Sequence, residues 1–243
     1  MGDRRRIAVV PAYNEEPTVA AVLDKLRPLV DELVVVDDGS TDGTRRAIER
    51  WNGDRHGVQL LTFDQNQGMS AAYYLAFSEL RRRLEVGELD RDDLVFTVDA
   101  DGQHELAVFD QLEASMDGLD TLLVRRDLRT YPYYKRAGNW LLSAWATLWA
   151  GHRLYDVESG YRVFRLGALT DALNYYRGTK YSETVEVAVV LCRLGYDVDN
   201  SRLVPVPIYR SRTSLLDAAI DAALIPIAAA RVLLHRQHRP LAR

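Results

Sequence analysis

Two carboxylates and an amide stand where an apolar run, Leu94 to Val98, gives way to Asp99-Ala100-Asp101-Gly102-Gln103-His104. Asp99 and Asp101 are two residues apart, so both side chains leave the same side of the chain if strand geometry persists. Hard oxygen donors so arranged suit Mg²⁺ or Mn²⁺, whose coordination is usually completed by phosphate oxygens and water. A plain turn fits the same residues, because Asp and Gly favour turns wherever they fall. The elements upstream bear on which reading holds.

Those elements alternate. Ile7 to Val10 is a short apolar strand that stops at Pro11-Ala12-Tyr13-Asn14-Glu15-Glu16, and Pro17-Thr18 open a helix reaching about Leu29. Leu33 to Val36 ends in Asp37-Asp38-Gly39-Ser40-Thr41-Asp42-Gly43-Thr44, before a helix with Arg45, Arg46, Glu49 and Arg50 on a solvated face. Val58 to Phe63 is followed by Asn66-Gln67-Gly68 and a helix from Ser70 to about Leu84. Strand–helix alternation predicts an α/β domain, its mostly parallel central sheet flanked by helices on both sides. Ligands then bind beyond the carboxyl ends of the strands, the edge on which all four polar loops fall.

Several function classes are excluded. The first strand is not followed by G-x-G-x-x-G, and no G-x-x-x-x-G-K-[ST] occurs, so neither backbone phosphate cradle is present. Acidic loops repel phosphate unless a divalent cation intervenes. Glu15 and Asp38 could accept hydrogen bonds from base N–H groups or ribose hydroxyls. Their structural alternatives are a first-turn helix carboxylate and an Asx turn. With 31 Lys and Arg against 35 Asp and Glu, and a net charge of −4, no nucleic-acid partner is implied. A single cysteine, Cys192, excludes an internal disulfide and makes a reducing cytoplasm the default. No signal peptide is expected, since Arg4-Arg5-Arg6 lead directly into the first strand.

The succession PAYNEE, VVVDDGSTDGT, NQG and DADGQH resembles a family-2 glycosyltransferase of the A-type nucleotide-sugar fold. Within that family it is similar to dolichyl- or polyprenyl-phosphate mannose and glucose synthases. The resemblance implies that Pro11, Tyr13, Glu15, Asp38, Asp99 and Ala100 bind the nucleotide of a UDP- or GDP-sugar, the first four at its nucleoside. It implies that Asp99, Asp101 and Gln103 hold Mg²⁺ or Mn²⁺ and the diphosphate. Inverting transfer of a hexose to a polyprenyl phosphate would follow, with Asp101, Arg136 and Arg212 acting at the reacting groups. An acceptor that is already anionic needs no general base. The alternatives are transfer to a hydroxyl with Asp156 or Glu183 as base, and a non-catalytic sugar-nucleotide-binding scaffold.

The second half is read partly through the resemblance. Asp120 to Val124 is a further strand, and Arg125-Arg126, Tyr131-Pro132-Tyr133-Tyr134 and Lys135-Arg136 resemble the family's mobile acceptor loop. Arg126 and Arg136, with Arg210 and Arg212 of the later segment Tyr209 to Ser214, are the candidate phosphate contacts, although Leu215 stands where relatives carry Lys. A helix to about Ala150 carries Trp140, Leu141, Trp145, Leu148 and Trp149, either as core or at a membrane interface. Asp156-Val157-Glu158-Ser159-Gly160-Tyr161-Arg162 resembles the family's D-x-x-S-G-[FY]-R segment, in which Arg162 could pair with a carboxylate. The catalytic domain is expected over 1–214, and an amphipathic helix with a basic tail over 215–243. Leu216, Ile220, Ala223, Ile227, Ala230 and Leu234 form the expected apolar stripe. With Arg231, His235, Arg236, His238, Arg239 and Arg243 it reads as peripheral attachment to the cytoplasmic face of a membrane. The competing reading packs this helix on the domain or on a second subunit.

Overall fold

The computed structural model describes residues 4–53, 57–176, 183–205 and 215–236. The first half contains β1 (Arg6–Ala12), α1 (Val19–Leu26), β2 (Glu32–Asp37), α2 (Thr44–Asn52), β3 (Val58–Thr62), α3 (Met69–Glu85) and β4 (Leu94–Thr97). After it come α4 (Phe109–Ala114), β5 (Thr121–Leu123), β6 (Arg125–Arg126), α5 (Tyr133–Ala150), β7 (Arg162–Arg165), α6 (Leu166–Ala172), α7 (Glu183–Leu194), β8 (Val198–Asp199), β9 (Leu203–Val204) and α8 (Leu215–Arg236). The predicted α/β architecture is present. Among the described residues one sheet runs in the order β3-β2-β1-β4-β7-β5-β8, and β6 pairs with β9 apart from it.

Period-two alternation divides the core. Ile7 and Val9 face one side of the sheet, with Val34, Val36, α3 and the later helices. Ala8 and Val10 face the other, with Leu33, Val35, α1 and α2. The sheet is parallel except for β7, which pairs antiparallel with both β4 and β5. Reversal has a direct consequence. The start of β7, rather than its end, lies on the edge where β1, β2 and β4 finish, and Thr97 stands opposite Arg162.

Helix α8 is integrated with the domain, packing against α5 and α7. Its buried residues are Asp221, Ile225, Ala228, Ala229 and Val232. The expected stripe lies on the outer side: Ile227 and Leu234 are exposed. Small alanines on the inward face let the backbones approach closely, so hydrophobicity alone does not select the buried side. Arg231, expected among the lipid-facing cations, instead bonds Glu186 at 3.2 Å and the Tyr175 carbonyl at 3.1 Å. Pro226 has no N–H to give the carbonyl of Ala222 four residues back. The indole Nε1 of Trp145 donates to that carbonyl at 2.9 Å, so a tryptophan of α5 caps the gap in α8.

Candidate functional site

The first two loops of the parallel edge are stitched by their polar side chains. Asn14, at a left-handed φ of 54°, accepts from the Thr41 amide at 2.9 Å, while its own amide donates to Ser40 Oγ. Glu16 accepts from the Gly43 amide at 2.9 Å. Asp38, buried at the end of β2, accepts from Asn66 Nδ2, the Gln67 amide and the Gly68 amide at 2.8–2.9 Å. It thus nucleates the Asn66–Gly68 loop, as an Asx-type residue does, while still lining the cavity. Burial raises its pKa against the pull of those amides. Gly39 is obligatory here, with φ +66° and a Cβ position only 2.3 Å from the Gln65 backbone.

At the β4 terminus Asp99 is held from several directions. Its amide donates to His104 Nδ1 at 3.2 Å, and His104 Nε2 stands 3.4 Å from its Oδ2. The His104 ring stacks on Tyr161, centroids 4.7 Å apart. Tyr73 donates to Oδ1 from below at 3.4 Å. Gly160, brought in by the reversed β7, approaches so closely that a Cβ would lie 3.0 Å from Asp99 Oδ2. Thr97 fixes that approach by donating to the Gly160 carbonyl at 2.6 Å. Burial raises the Asp99 pKa, and the charge of Asp101 adds to it. Asp101 accepts from the Gln103 amide at 3.0 Å, and Gln103 Nε2 also donates to it. Gln103 therefore orients Asp101.

The second half fixes its site edge with two ion pairs. Arg126 forms a bidentate pair with Asp156 at 2.7 and 2.8 Å, and Glu158 lies 3.8 Å away. Asn200 anchors that knot by accepting from the Tyr155 and Asp156 amides and donating to the Leu123 carbonyl. Arg162 and Glu183, both almost wholly buried, meet at 2.8 Å. Burial pushes the Glu183 carboxyl up to about 7, with Arg162 opposing the rise. Arg162 thus pairs with a carboxylate as expected.

Together these elements enclose a cavity of about 230 Å³. Pro11, Tyr13, Glu15, Asp38, Asp99, Ala100, Asp101, Gln103 and Arg126 all line it, so nine sequence-nominated residues converge. Arg136 stands exposed on the first turn of α5 and is not among its lining residues. Arg210 and Arg212 lie outside the described residues. Asn66, Tyr131, Glu158, Gly160, Thr184 and Asp221 also line it, though not selected from sequence. For Glu158 and Gly160 the D-x-x-S-G signal was available; nothing local marked Thr184 or Asp221. Among the described residues, six carboxylates and one guanidinium, Arg126, line the cavity. Such a cavity admits a diphosphate only with a compensating cation. Asp99 and Asp101 supply hard oxygen donors of the right type, two rather than a protein-only cage of three or more.

The model of glycosyl transferase family 2 matches residues 7–162, from β1 to the start of β7. The chain belongs to that family. The glycosyltransferase is 26% identical over 229 residues to undecaprenyl-phosphate mannosyltransferase of Micrococcus luteus, covering 91% of this chain and 89% of that protein. It is 27% identical to the UDP-N-acetylglucosamine–dolichyl-phosphate N-acetylglucosaminyltransferase of Methanococcus voltae, covering 79% and 82% respectively. Glucosyl-3-phosphoglycerate synthase of Mycobacterium tuberculosis, solved with Mn²⁺, UDP and phosphoglyceric acid, shares the fold. Its TM-score is 0.62 at 21% identity, with 98% of this chain and 80% of that chain covered.

Proposed function

We propose that this glycosyltransferase moves a hexose from a UDP- or GDP-sugar to a polyprenyl phosphate, with inversion and with Mg²⁺ or Mn²⁺ at the site. The observation that carries the reading is the acidic cavity at the carboxyl ends of β1, β2 and β4, with Asp99 and Asp101 in its lining. Pro11, Tyr13, Glu15 and Asp38 bind the nucleoside. Asp99 and Asp101 hold the metal, and Gln103 keeps Asp101 oriented. Bound there, a divalent cation acts as a Lewis acid toward the leaving diphosphate. Arg126, held by Asp156 in the cavity lining, meets a phosphate there, and Arg136, Arg210 and Arg212 are its partners in phosphate contact.

A lipid phosphate acceptor is supported by the names of both relatives. It is also supported by the state of the candidate bases. Asp156 is engaged by Arg126 and Glu183 by Arg162, so neither stands ready to take a hydroxyl proton. Glu158 remains, lining the cavity with its pKa raised by burial against the pull of Arg126. Glu158→Gln therefore separates the acceptor classes. Transfer to lipid phosphate should change by less than about 3-fold, whereas loss of a general base costs about 10²-fold or more.

Peripheral attachment to a membrane surface is supported by α5 and α8. Trp140, Leu141, Leu148, Ile227 and Leu234 are all exposed on these two packed helices. Amphipathic rings and aliphatic side chains of this kind settle at a lipid interface. Among the described residues no helix is long and apolar enough to cross a membrane. Product analysis tests the chemistry: proton NMR should report the anomer opposite to the donor's, and EDTA should stop turnover. A retained anomer would contradict the single displacement, and full activity in EDTA would contradict the metal.

A further inference from the structure

Arg125 and Arg126 are neighbours on β6, and strand alternation turns their side chains to opposite sides. Arg126 lines the cavity and pairs there with the buried Asp156. Arg125 is not among the lining residues; its guanidinium stands over the ring of Tyr155, 5.0 Å from the centroid. Arg153 stands over the same ring, also at 5.0 Å. On the outside, Arg125 with Tyr155 thus repeats, one residue back on each segment, the inner pair of Arg126 with Asp156.

The outer pair differs from the inner one in having no anion. Among the described residues neither Arg125 nor Arg153 has an ion-pair partner. Between residues 125 and 155 stand six Lys and Arg and a single carboxylate, Asp127, which Arg129 engages at 2.9 and 3.0 Å. That segment is strongly basic in a chain whose net charge is −4. Cation–π attraction to Tyr155 places both guanidiniums before any ligand arrives. An anion between them relieves their mutual repulsion, and phosphate oxygens suit two planar guanidinium forks.

The surroundings indicate which phosphate. Arg153 and Tyr155 are exposed just past the end of α5, a helix that also exposes Trp140, Leu141 and Leu148. Leu203, which stands opposite Arg125 in the pairing of β6 with β9, is exposed as well. Unpaired cations bordered by exposed aromatic and aliphatic side chains match an anionic bilayer, whose phosphates overlie acyl chains. A soluble anion would leave that apolar border without a role.

We infer that Arg125 and Arg153, held on Tyr155, bind the phosphate of an anionic phospholipid and so seat the cavity against the bilayer. The inference rests on the lipid-acceptor reading above. The phosphate of a polyprenyl phosphate lies in the same headgroup layer, so seating through Arg125 brings that layer to Arg126, one residue away.

The test measures co-sedimentation of the full chain with vesicles of phosphatidylcholine, alone or mixed equally with phosphatidylglycerol, for the parent, Arg125→Gln, Arg153→Gln and the double variant. Each substitution should weaken binding to the anionic vesicles about 5-fold, and the two together about 25-fold, with binding to phosphatidylcholine changed less than about 2-fold. Unfolding temperature should match the parent's in every variant, as should turnover of a polyprenyl phosphate dispersed in neutral detergent. A double variant that kept the parent's preference for phosphatidylglycerol would place that preference on other cations and overturn the proposal. Displacement of the parent from the vesicles by millimolar inorganic phosphate would mark a soluble-anion site and overturn it as well. If vesicle binding followed the prediction but no polyprenyl phosphate were glycosylated, the functional reading would fall and the phospholipid site would stand.

Discussion

The two halves of the molecule build one site by different means. In the first half, short polar side chains stitch neighbouring loops: Asn14 to Thr41, Glu16 to Gly43, and Asp38 to Asn66–Gly68. These bonds join consecutive β–α loops, and the sheet edge brings the groups together. In the second half the ties are ion pairs to buried carboxylates across distant elements: Arg126 with Asp156, Arg162 with Glu183, Arg231 with Glu186. A parallel edge collects its loops by topology. The antiparallel β7 and the packed helices instead have to be clamped. Chemistry is thus concentrated in the first half and positional control in the second.

The largest effect expected is on the chemical side. Asp101→Ala should lower transfer by about 10³-fold or more, equivalent to the several kcal/mol a Lewis acid supplies. Its unfolding temperature should stay unchanged, because Asp101 is a loop residue whose described hydrogen bonds go only to Gln103. A parallel loss of stability would blur the division between the halves.

The clamps should show the opposite pattern. Arg162→Met leaves Glu183 buried without its partner and should cost about 3–5 kcal/mol at pH 8, read by denaturant unfolding. Glu183→Gln sharpens the point through pH. A carboxyl at about 7 in the fold and 4.5 as its model value binds more protons folded than unfolded between those values. Its contribution is therefore full below about 4.5 and lost as pH rises through 7, a component on the order of 3 kcal/mol. Glu183→Gln should flatten that decline and gain on the parent chain as pH rises. An unchanged slope would contradict the assignment.

Gly160 joins the two regions. Gly160→Ala would press a Cβ on Asp99 and should weaken Mn²⁺ binding about 10-fold, on the scale of a disturbed outer-shell contact, with little change in unfolding temperature. The smallest effect belongs to Trp145→Phe, which strips the Ala222 carbonyl of its donor. It should cost about 1 kcal/mol in denaturant unfolding. A neutral result would mean that water replaces the indole.

The same division explains what was legible in the sequence. The first four strands and their loops could be read because period-two runs end in Asp, Asn and Gly turns, and parallel alternation places all those ends together. Asp99, Asp101, Glu15 and Asp38 followed from that rule and do line one cavity. In α8 the sequence pattern did not choose the buried face. Apolar residues surround the helix, and the stripe of larger ones left open whether it met a membrane or packed on the domain; it is the face of Ile225, Ala228 and Ala229 that packs inward. The place of Asp221 in the cavity lining was not legible either, because it comes from α8 docking on α5 and α7, a contact between elements far apart in the chain. Asp156 and Glu183 looked available as bases until their arginine partners, 30 and 21 residues away, were placed.

The most direct test of the central claim is the lipid product itself. The chain would be incubated with UDP- and GDP-sugars and a polyprenyl phosphate, with Mn²⁺ or EDTA, and the lipid extract read by mass spectrometry. The account predicts a hexosyl phospholipid from one nucleotide class, present with Mn²⁺ and absent with EDTA. Donor hydrolysis without a lipid product, or transfer only to a hydroxyl acceptor, would contradict it.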